Sequence, residues 1–446
     1  MKKLFFLFVF ASYAALSSAQ TTINVMDSLI YYDGYAAIVT SPPPPAGVLK
    51  LRNDLFARKL TGAELQSIGS TLQMNVVIHA LCDNYDRIGN VNMALTPIGA
   101  TTYNPDSVAR IELGRFITPF FNKNVHPDSV PYTFNIDNVA MLLRDTTITH
   151  HFDIWMELQL FGVPYAANTQ ITGCSARNDV FLGRLQLVTN APAAATNDVL
   201  IPLFINHDFN NYQAAATDTI GKTTKTITYT VADSLATASF YLITSNHGSN
   251  SGGEEYNRRV HYAFYDDSLK LTYTPGRTSC EPFRRYNTQG NGIYGSSPKS
   301  DASWQSFSNW CPGDVIDIRM IDLGPVSAGS HKFMITVPTA IFTGGQGNFP
   351  LSLYMQGKKA SINTGINEYS AENNSVAIYP NPTRGQFTIE TDADNAEITV
   401  TDMLGKQIIK TTSTQKLTNL LLNENGVYIV YVSTQLGTVA RKLVVN

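Results

Sequence analysis

The 446-residue chain has little charge: Asp, Glu, Lys and Arg make up 15%, against roughly 25% in an ordinary globular chain. Hydrophobic residues nevertheless reach 43%, which excludes disorder over most of the length and leaves room for one to four domains with real cores. Neither sign of charge dominates, with 32 basic against 35 acidic residues and a formal charge of -3. There is thus no basic face for nucleic acid and no acidic tail. No CxxC occurs among the four cysteines, and no apolar run beyond the N-terminus could span a bilayer. A Gly-rich phosphate loop, a Ser elbow and a zinc-binding helix are also missing.

What is present points to export and to strands. Lys2-Lys3, the apolar stretch Leu4 to Leu16 and Ser17-Ser18-Ala19 have the order of a secretory signal peptide, residues 1–19, cut after Ala19. Export permits disulfides, so Cys82, Cys174, Cys280 and Cys311 form an even set with three possible pairings. Thirty Gly, 21 Pro, 22 Tyr and 22 Phe favour turns and pleated surfaces. Ile227, Tyr229 and Val231 alternate with threonines, and Phe333, Ile335 and Val337 alternate with Lys332, Met334 and Thr336. Each run reads as a strand with one buried face. Turn clusters at Ser41–Gly47, Ala191–Asn197, Asn246–Gly253 and Tyr273–Gly276 separate such strands.

The fold class expected is all-β: two antiparallel jelly-roll sandwiches packed side by side, plus a small C-terminal β-sandwich. The expected division is 20–190 for an N-terminal region with the first jelly roll, 191–357 for the second, a polar linker at 358–375, and a module at 376–446. That module opens with Ile378-Tyr379-Pro380-Asn381-Pro382-Thr383-Arg384-Gly385 and has alternating strands around Phe387 with Ile389 and Val427 with Ile429. With Asp402-Met403-Leu404-Gly405-Lys406, Gly426-Val427-Tyr428 and the basic Arg441-Lys442, it resembles the C-terminal sorting domain of the type IX secretion system of Bacteroidetes. The resemblance implies the secretion machinery as a partner, and a protein that is secreted or attached at the outer membrane.

Three acidic spots could carry chemistry. A strand-like run, Met74 to Leu81, ends in Cys82-Asp83-Asn84-Tyr85-Asp86-Arg87. A Gly/Ser/Asn loop leads into Glu254-Glu255-Tyr256-Asn257-Arg258-Arg259, where an extended backbone would send the two glutamates to opposite faces. Asp153 stands two residues before Trp155. Taken singly, each also reads as a structural turn or a surface ion pair.

Together these segments resemble the peptide-N-glycosidase F family over roughly residues 70 to 345. Cys82 to Arg87 is similar to the family's Cys-Asp-Glu-Trp-Asp-Arg, which implies Asp86 as the principal catalytic carboxylate and Arg87 as its polar neighbour. Glu255-Tyr256-Asn257-Arg258-Arg259-Val260-His261 is similar to Glu-Trp-Cys-Phe-Arg-Thr-His, implying Glu255 as the second. Asp153 stands for a third acid, one methylene shorter than the family's. Gly114-Arg115-Phe116-Ile117-Thr118-Pro119-Phe120 and Trp310-Cys311-Pro312-Gly313 match further family runs. The arginine expected just before Trp310 is absent, and so is the family's close cysteine pair around the second carboxylate. Tyr85 and Tyr256 replace Trp and keep a stacking face.

The resemblance implies two jelly rolls with the site at their interface, and a glycoamidase acting on N-glycosylated proteins or glycopeptides without metal or cofactor, as a monomer. Amide hydrolysis needs a carboxylate to take a proton from water, a cation for the oxyanion and an acid for the leaving nitrogen. Asp86, Arg87 and Glu255 are assigned these tasks in that order. Tyr85, Trp155, Tyr256 and Trp310 are expected to line the sugar site, while Asp83 and Glu254 are read as structural acids. The family implies a Cys280–Cys311 bridge, worth about 3 kcal/mol on the loop-entropy model, and Cys82, having lost its partner, is paired with Cys174. The alternatives are a non-catalytic glycan-binding jelly roll, a glycosidase using the same two acids, and a copper monooxygenase built on His150, His151, His247 and His261.

Overall fold

The computed structural model describes residues 20–249, 253–289, 300–305, 307–360, 376–392, 395–403, 405–434 and 437–446. The expected signal peptide and most of the expected linker lie outside these residues. Two compact units divide the chain after Ala360.

The first lobe uses β1 (Thr21–Tyr32), β2 (Val48–Arg52), β3 (Leu55–Lys59), β4 (Leu72–Ala80), β5 (Ile88–Pro97), β6 (Ala109–Ile117), β7 (Ser129–Asn135), β8 (Phe152–Leu160) and β9 (Asp179–Thr189). The second uses β10 (Asp198–Phe209), β11 (Thr224–Val231), β12 (Leu235–Thr244), β13 (His261–Tyr265), β14 (Ser268–Tyr273), β15 (Val315–Ile316), β16 (Arg319–Val326), β17 (Gly329–Thr336) and β18 (Phe349–Lys359). All the pairings between these strands are antiparallel.

A four-stranded sheet, β1-β9-β4-β7, packs on a six-stranded one, β15-β6-β5-β8-β3-β2. In β4 the sequence alternation sends Met74, Val76 and Ile78 into the core, where they meet Val91, Met93 and Leu158 from the other sheet. Residues 20–70 are not a separate cap: β1 is an edge strand of one sheet, and β2 and β3 extend the other. β5 is buried on both faces, because the segment around Tyr103 and Val108 covers the sheet's outer side over Ala57, Ala94 and Trp155.

The second lobe pairs sheet β10-β18-β12-β16 with β11-β17-β13-β14 around Phe209, Phe240, Phe333, Ile335 and Phe349. The two alternating runs read from the sequence are β11 and β17, in register from Thr224↔Thr336 to Val231↔Gly329. One short strand crosses between lobes: β15 pairs with β6 of the first lobe at Val315↔Phe116. β18 runs to Lys359, inside the stretch expected as linker, because Lys358 and Lys359 still pair with β12.

A buried ion pair staples the lobes together. Arg115 on β6 is wholly enclosed and bridges to Glu112, with Nε to Oε1 at 2.8 Å and Nη2 to Oε2 at 2.6 Å. Across the junction Arg115 donates to Ser245 Oγ (2.9 Å), the Pro350 carbonyl (2.6 Å) and Asn206 Oδ1 (3.0 Å). A buried charge is tolerable only when its donors are satisfied in this way.

The C-terminal unit holds β19 (Val376–Tyr379), β20 (Gln386–Thr391), β21 (Ala396–Asp402), β22 (Gln407–Ser413), β23 (Leu417–Leu421), β24 (Gly426–Thr434) and β25 (Gly437–Val445), in sheets β19-β20-β23 and β22-β21-β24-β25. Phe387 and Ile389 enter its core as expected. In β24 the inner face is Tyr428, Val430 and Val432, whereas Val427 and Ile429 are only half buried. A strand apolar on both faces gives no phase to alternation.

Candidate active site at the lobe junction

The turn after β4 is held from three sides. Cys82 is bridged to Cys174 with Cα atoms 5.4 Å apart. Asp83, fully buried, accepts from the backbone N–H of Tyr85 (2.9 Å), that of Val163 (2.7 Å) and Arg87 Nε (2.7 Å). Thr118, just beyond β6, accepts from the Arg87 N–H (2.7 Å) and donates to the Tyr85 carbonyl (2.9 Å).

This framing leaves Asp86 as the acid of the turn whose carboxyl is hydrogen-bonded only by its own backbone N–H. It is half buried, its Oδ2 is closed off from solvent, and that oxygen has no hydrogen-bond partner. Burial, first, and the charge of Glu255, second, push its carboxyl well above the ordinary value near 3.8; Arg87 opposes them. The two carboxylates therefore feel one another across the junction.

Glu254–Tyr256 form a single 3₁₀ turn, where the sequence reading assumed extended backbone. The glutamates still diverge. Glu254 is sealed in a pair with Arg259 (2.8 Å) and accepts from the Ile341 N–H (2.8 Å). Glu255 Oε2 accepts from the Gly248 N–H (3.2 Å) and the Tyr256 side chain also hydrogen-bonds it; burial raises its carboxyl, and these two bonds lower it. Gly248 sits at φ +127°, and a Cβ there would lie 3.0 Å from Gly347 Cα, so only glycine serves at this position.

The stretch that lacks the expected arginine seats this turn instead. Asn309 donates from its side chain to the Glu254 carbonyl (2.9 Å) and from its backbone to the Glu255 carbonyl (3.2 Å), which Ser308 Oγ also reaches. Trp310 donates to the Asn246 carbonyl (3.0 Å) and stacks on His247 with centroids 5.8 Å apart. It is core beneath the site, not a lining residue, because its N–H and both faces are occupied. The second disulfide, Cys280–Cys311, ties this strap down, with Cα atoms 5.3 Å apart.

Two other expected site residues lie elsewhere. Asp153 pairs with Lys59 (3.0 Å) and accepts from the Gly99 N–H (2.8 Å) at the start of β8. Leu160, at the other end of β8, pairs with Gly89 near Asp86; the strand between covers roughly 23 Å at the usual rise. Trp155 shares the outer face of that sheet with Asp153, buried under the covering loop with Nε1 on Thr96 Oγ1 (3.1 Å). Tyr256, by contrast, is 40% exposed beside Glu255, and Tyr85 packs under the Arg87 guanidinium, 4.7 Å from its ring centroid.

Among the described residues no cluster of three His, Cys, Asp or Glu side chains could hold a metal ion. His150 and His151 are exposed on the first lobe, while His247 bonds Ser245 Oγ (2.7 Å) and His261 the Arg259 carbonyl (2.9 Å) in the second. Two clefts of about 440 Å³ open elsewhere on the first lobe, one beside Gln73 and Asp137 and the other beside Arg144 and His150.

Fold and site thus define a paired jelly-roll protein with one raised carboxyl on each lobe, Asp86 and Glu255. Residues 22–177 match the family model of the peptide-N-glycosidase F N-terminal domain, and residues 211–356 that of its C-terminal domain. Residues 377–446 match the secretion system C-terminal sorting domain. The chain belongs to the peptide-N-glycosidase F family and carries a type IX sorting domain, which makes it a protein secreted or attached at the outer-membrane surface.

Two solved structures of PNGF-II are similar to it at 18% and 19% identity, with TM-scores of 0.55 and 0.54. Each match covers 76% of this chain but only 66% and 65% of the other, so the chain spans just under two thirds of their length. At these identities the likeness is one of fold. PNGase F, a glycosylasparaginase from Flavobacterium meningosepticum, matches at 14% identity and a TM-score of 0.47, covering 76% of this chain and 96% of that one. No curated protein matches the chain. No helix among the described residues is long and apolar enough to cross a membrane.

Proposed function

We propose that the protein is a secreted glycoamidase, hydrolysing the amide bond between Asn and the first N-acetylglucosamine of N-linked glycoproteins or glycopeptides. One observation carries this reading: the carboxyls of Asp86 and Glu255, one from each lobe, are both raised by burial, that of Asp86 also by the charge of Glu255, with the Arg87 guanidinium acting on Asp86. With this reading go the division into lobes 20–190 and 191–357 and the catalytic roles of Asp86 and Glu255. Asp153 is not among the proposed catalytic groups.

The protonation order follows from the hydrogen bonds. Glu255 keeps two donors for its charged form, whereas Asp86 has only its own backbone N–H and is the more strongly raised of the two, so a single proton shared by the pair rests on Asp86. Glu255 then takes a proton from water as the water attacks the Asn side-chain carbonyl. Arg87, held by Asp83 and the Val163 carbonyl through Nε and Nη2, presents its remaining nitrogen to the oxyanion. Asp86 gives its proton to the departing nitrogen, leaving Asp in the peptide and a glycosylamine that water converts to the reducing sugar and ammonia. This exchanges the roles that the sequence alone assigned to the two acids.

Incubating the mature protein with a denatured glycoprotein tests the reaction class. Free reducing glycan and a peptide shifted by about 1 Da, from Asn to Asp, are expected; a sugar left on the Asn would mean a glycosidase.

A further inference from the structure

Beside Asp86 an aromatic row runs along the surface of the first lobe, built from three loops far apart in sequence. Tyr35, 81% exposed, stands edge-on to Phe161 with centroids 5.2 Å apart. The Arg87 guanidinium lies between Phe161 (5.8 Å) and Tyr85 (4.7 Å). Tyr85 meets Tyr165, 61% exposed, at 5.5 Å between centroids, and their hydroxyls are 3.0 Å apart.

The row is braced from behind. The Phe161 ring lies against Gly34, where a Cβ would come within 2.6 Å of it, and the Gly34 N–H is bonded to the Gly162 carbonyl at 2.9 Å. Large exposed aromatic side chains held this rigidly are more than scattered surface apolarity.

We propose that this row is a subsite for the distal sugars of the substrate glycan, continuing from the amide held at Asp86 outward over Tyr85 and Tyr165 on one side and Phe161 and Tyr35 on the other. The proposal rests on the glycoamidase reading of the neighbouring acids. Continuity is given by the chain itself, since Tyr85 and Arg87 flank Asp86. The chemistry is that of a sugar: each step offers an apolar ring face together with a phenol hydroxyl or a guanidinium N–H, matching the apolar face and hydroxyl rim of a pyranose.

An extended peptide would ask for free main-chain groups, and here the N–H groups are already used. Those of Tyr35, Tyr85 and Val163 bond to Asp side chains, that of Arg87 to Thr118 and that of Gly34 to Gly162.

Binding of the free trimannosyl-chitobiose core, with no peptide attached, is measured first, by titration of wild type, Tyr35→Ala, Tyr165→Ala and Tyr165→Phe. Tyr165→Phe, which keeps the ring and loses the hydroxyl, should bind slightly more weakly than wild type, and each Ala variant about 3- to 10-fold more weakly, the scale of one lost stacking contact. KM is then compared on one peptide carrying either the whole glycan or only its first sugar, and on a longer peptide with the same glycan. The Ala variants should raise KM for the whole glycan and leave it unchanged for the trimmed one.

An equal rise on the trimmed substrate, a rise that follows peptide length, unchanged binding in both Ala variants, or no glycan binding by wild type would each overturn the proposal. If glycan is released normally while the variants match wild type, the subsite falls and the glycoamidase reading stands. If nothing is released but the core binds through Tyr35 and Tyr165, the reverse holds.

Discussion

The two acid-bearing turns, one in each lobe, are built on the same plan and differ in how they treat the charge they expose. Each places one acid in full burial against an arginine, Asp83 with Arg87 and Glu254 with Arg259, both at 2.7 to 2.8 Å. Each then turns a second acid, Asp86 or Glu255, toward the junction. The second lobe supplies Glu255 with a backbone N–H and a tyrosine, so its anion is at home there. The first lobe leaves Asp86 with an orphaned oxygen, so its neutral form is the comfortable one. A sealed acid fixes the turn, and the unsealed one is left to be tuned by what surrounds it.

The comparison breaks most visibly if either raised acid, Asp86 or Glu255, is neutralised. Asp86→Asn and Glu255→Gln should each lower kcat about 100-fold or more, read as release of free glycan from a glycopeptide.

Next come the sealed acids. Asp83→Asn and Glu254→Gln should each lower stability by about 3 kcal/mol in urea unfolding, since each leaves its arginine without the buried carboxylate it pairs with. Asp83→Asn should also cost more activity than Glu254→Gln, because Arg87 is set loose beside the reacting amide, whereas Arg259 serves only its own turn. Equal activities would dissolve the distinction.

A smaller effect separates Asp86 from Glu255 by pH. On the proposed mechanism activity needs Glu255 ionised and Asp86 protonated, so the acidic limb of the profile is expected from the former and the alkaline limb from the latter. Arg87 lowers the Asp86 value; Arg87→Gln should therefore move the alkaline limb of residual activity to higher pH. A shift downward would put the proton on the other acid.

Stability carries the same signature with a definite sign. Asp86 titrates higher folded than unfolded, so its contribution is intact below about 3.8 and is lost as pH rises through the folded value. Asp86→Asn lacks this loss. Its Tm should gain on wild type between pH 4 and pH 8 by about 2 °C, and a gain that shrinks instead would remove Asp86 from the raised class. Smallest of all, deletion of residues 376–446 should leave the purified activity unchanged and trap the protein in the periplasm; lost activity would make that unit part of the enzyme.

Legibility in the sequence followed physical rules. Strands with one wet face, such as β11 and β17, stood out because threonine and lysine mark the outside. β5, buried on both faces, and β24, apolar on both, gave no phase, and Val427 with Ile429 was read one residue out of step. Asp86 and Glu255 came from motif resemblance, and their catalytic roles stand as proposals; burial raises both carboxyls, and the charge of Glu255 adds to the rise at Asp86. Asp153 and Trp155 failed because a spacing of two fixes a shared face of a strand without saying which face, or which end. Trp310 was taken for a lining residue because nothing local announces that Asn246 will cap its N–H. Thr118 and Arg115 lay inside a quoted run, but apart from Glu112 beside Arg115 their partners, 31 to 237 residues away, are invisible to local pattern. Tyr35, Phe161 and Tyr165 meet Tyr85 only once three loops have come together.

The position of β1 bears on how the protein comes into being. Its partner is β9, so Thr21 pairs with Thr189, and the first sheet cannot close until its last strand has left the ribosome. Folding of this lobe is thus dominated by contacts of long sequence separation, the slow class among small domains. Such a chain stays open through synthesis and early transit, and a fragment ending before residue 179 would expose the unpaired edges of β1 and β4 to one another and to neighbouring molecules.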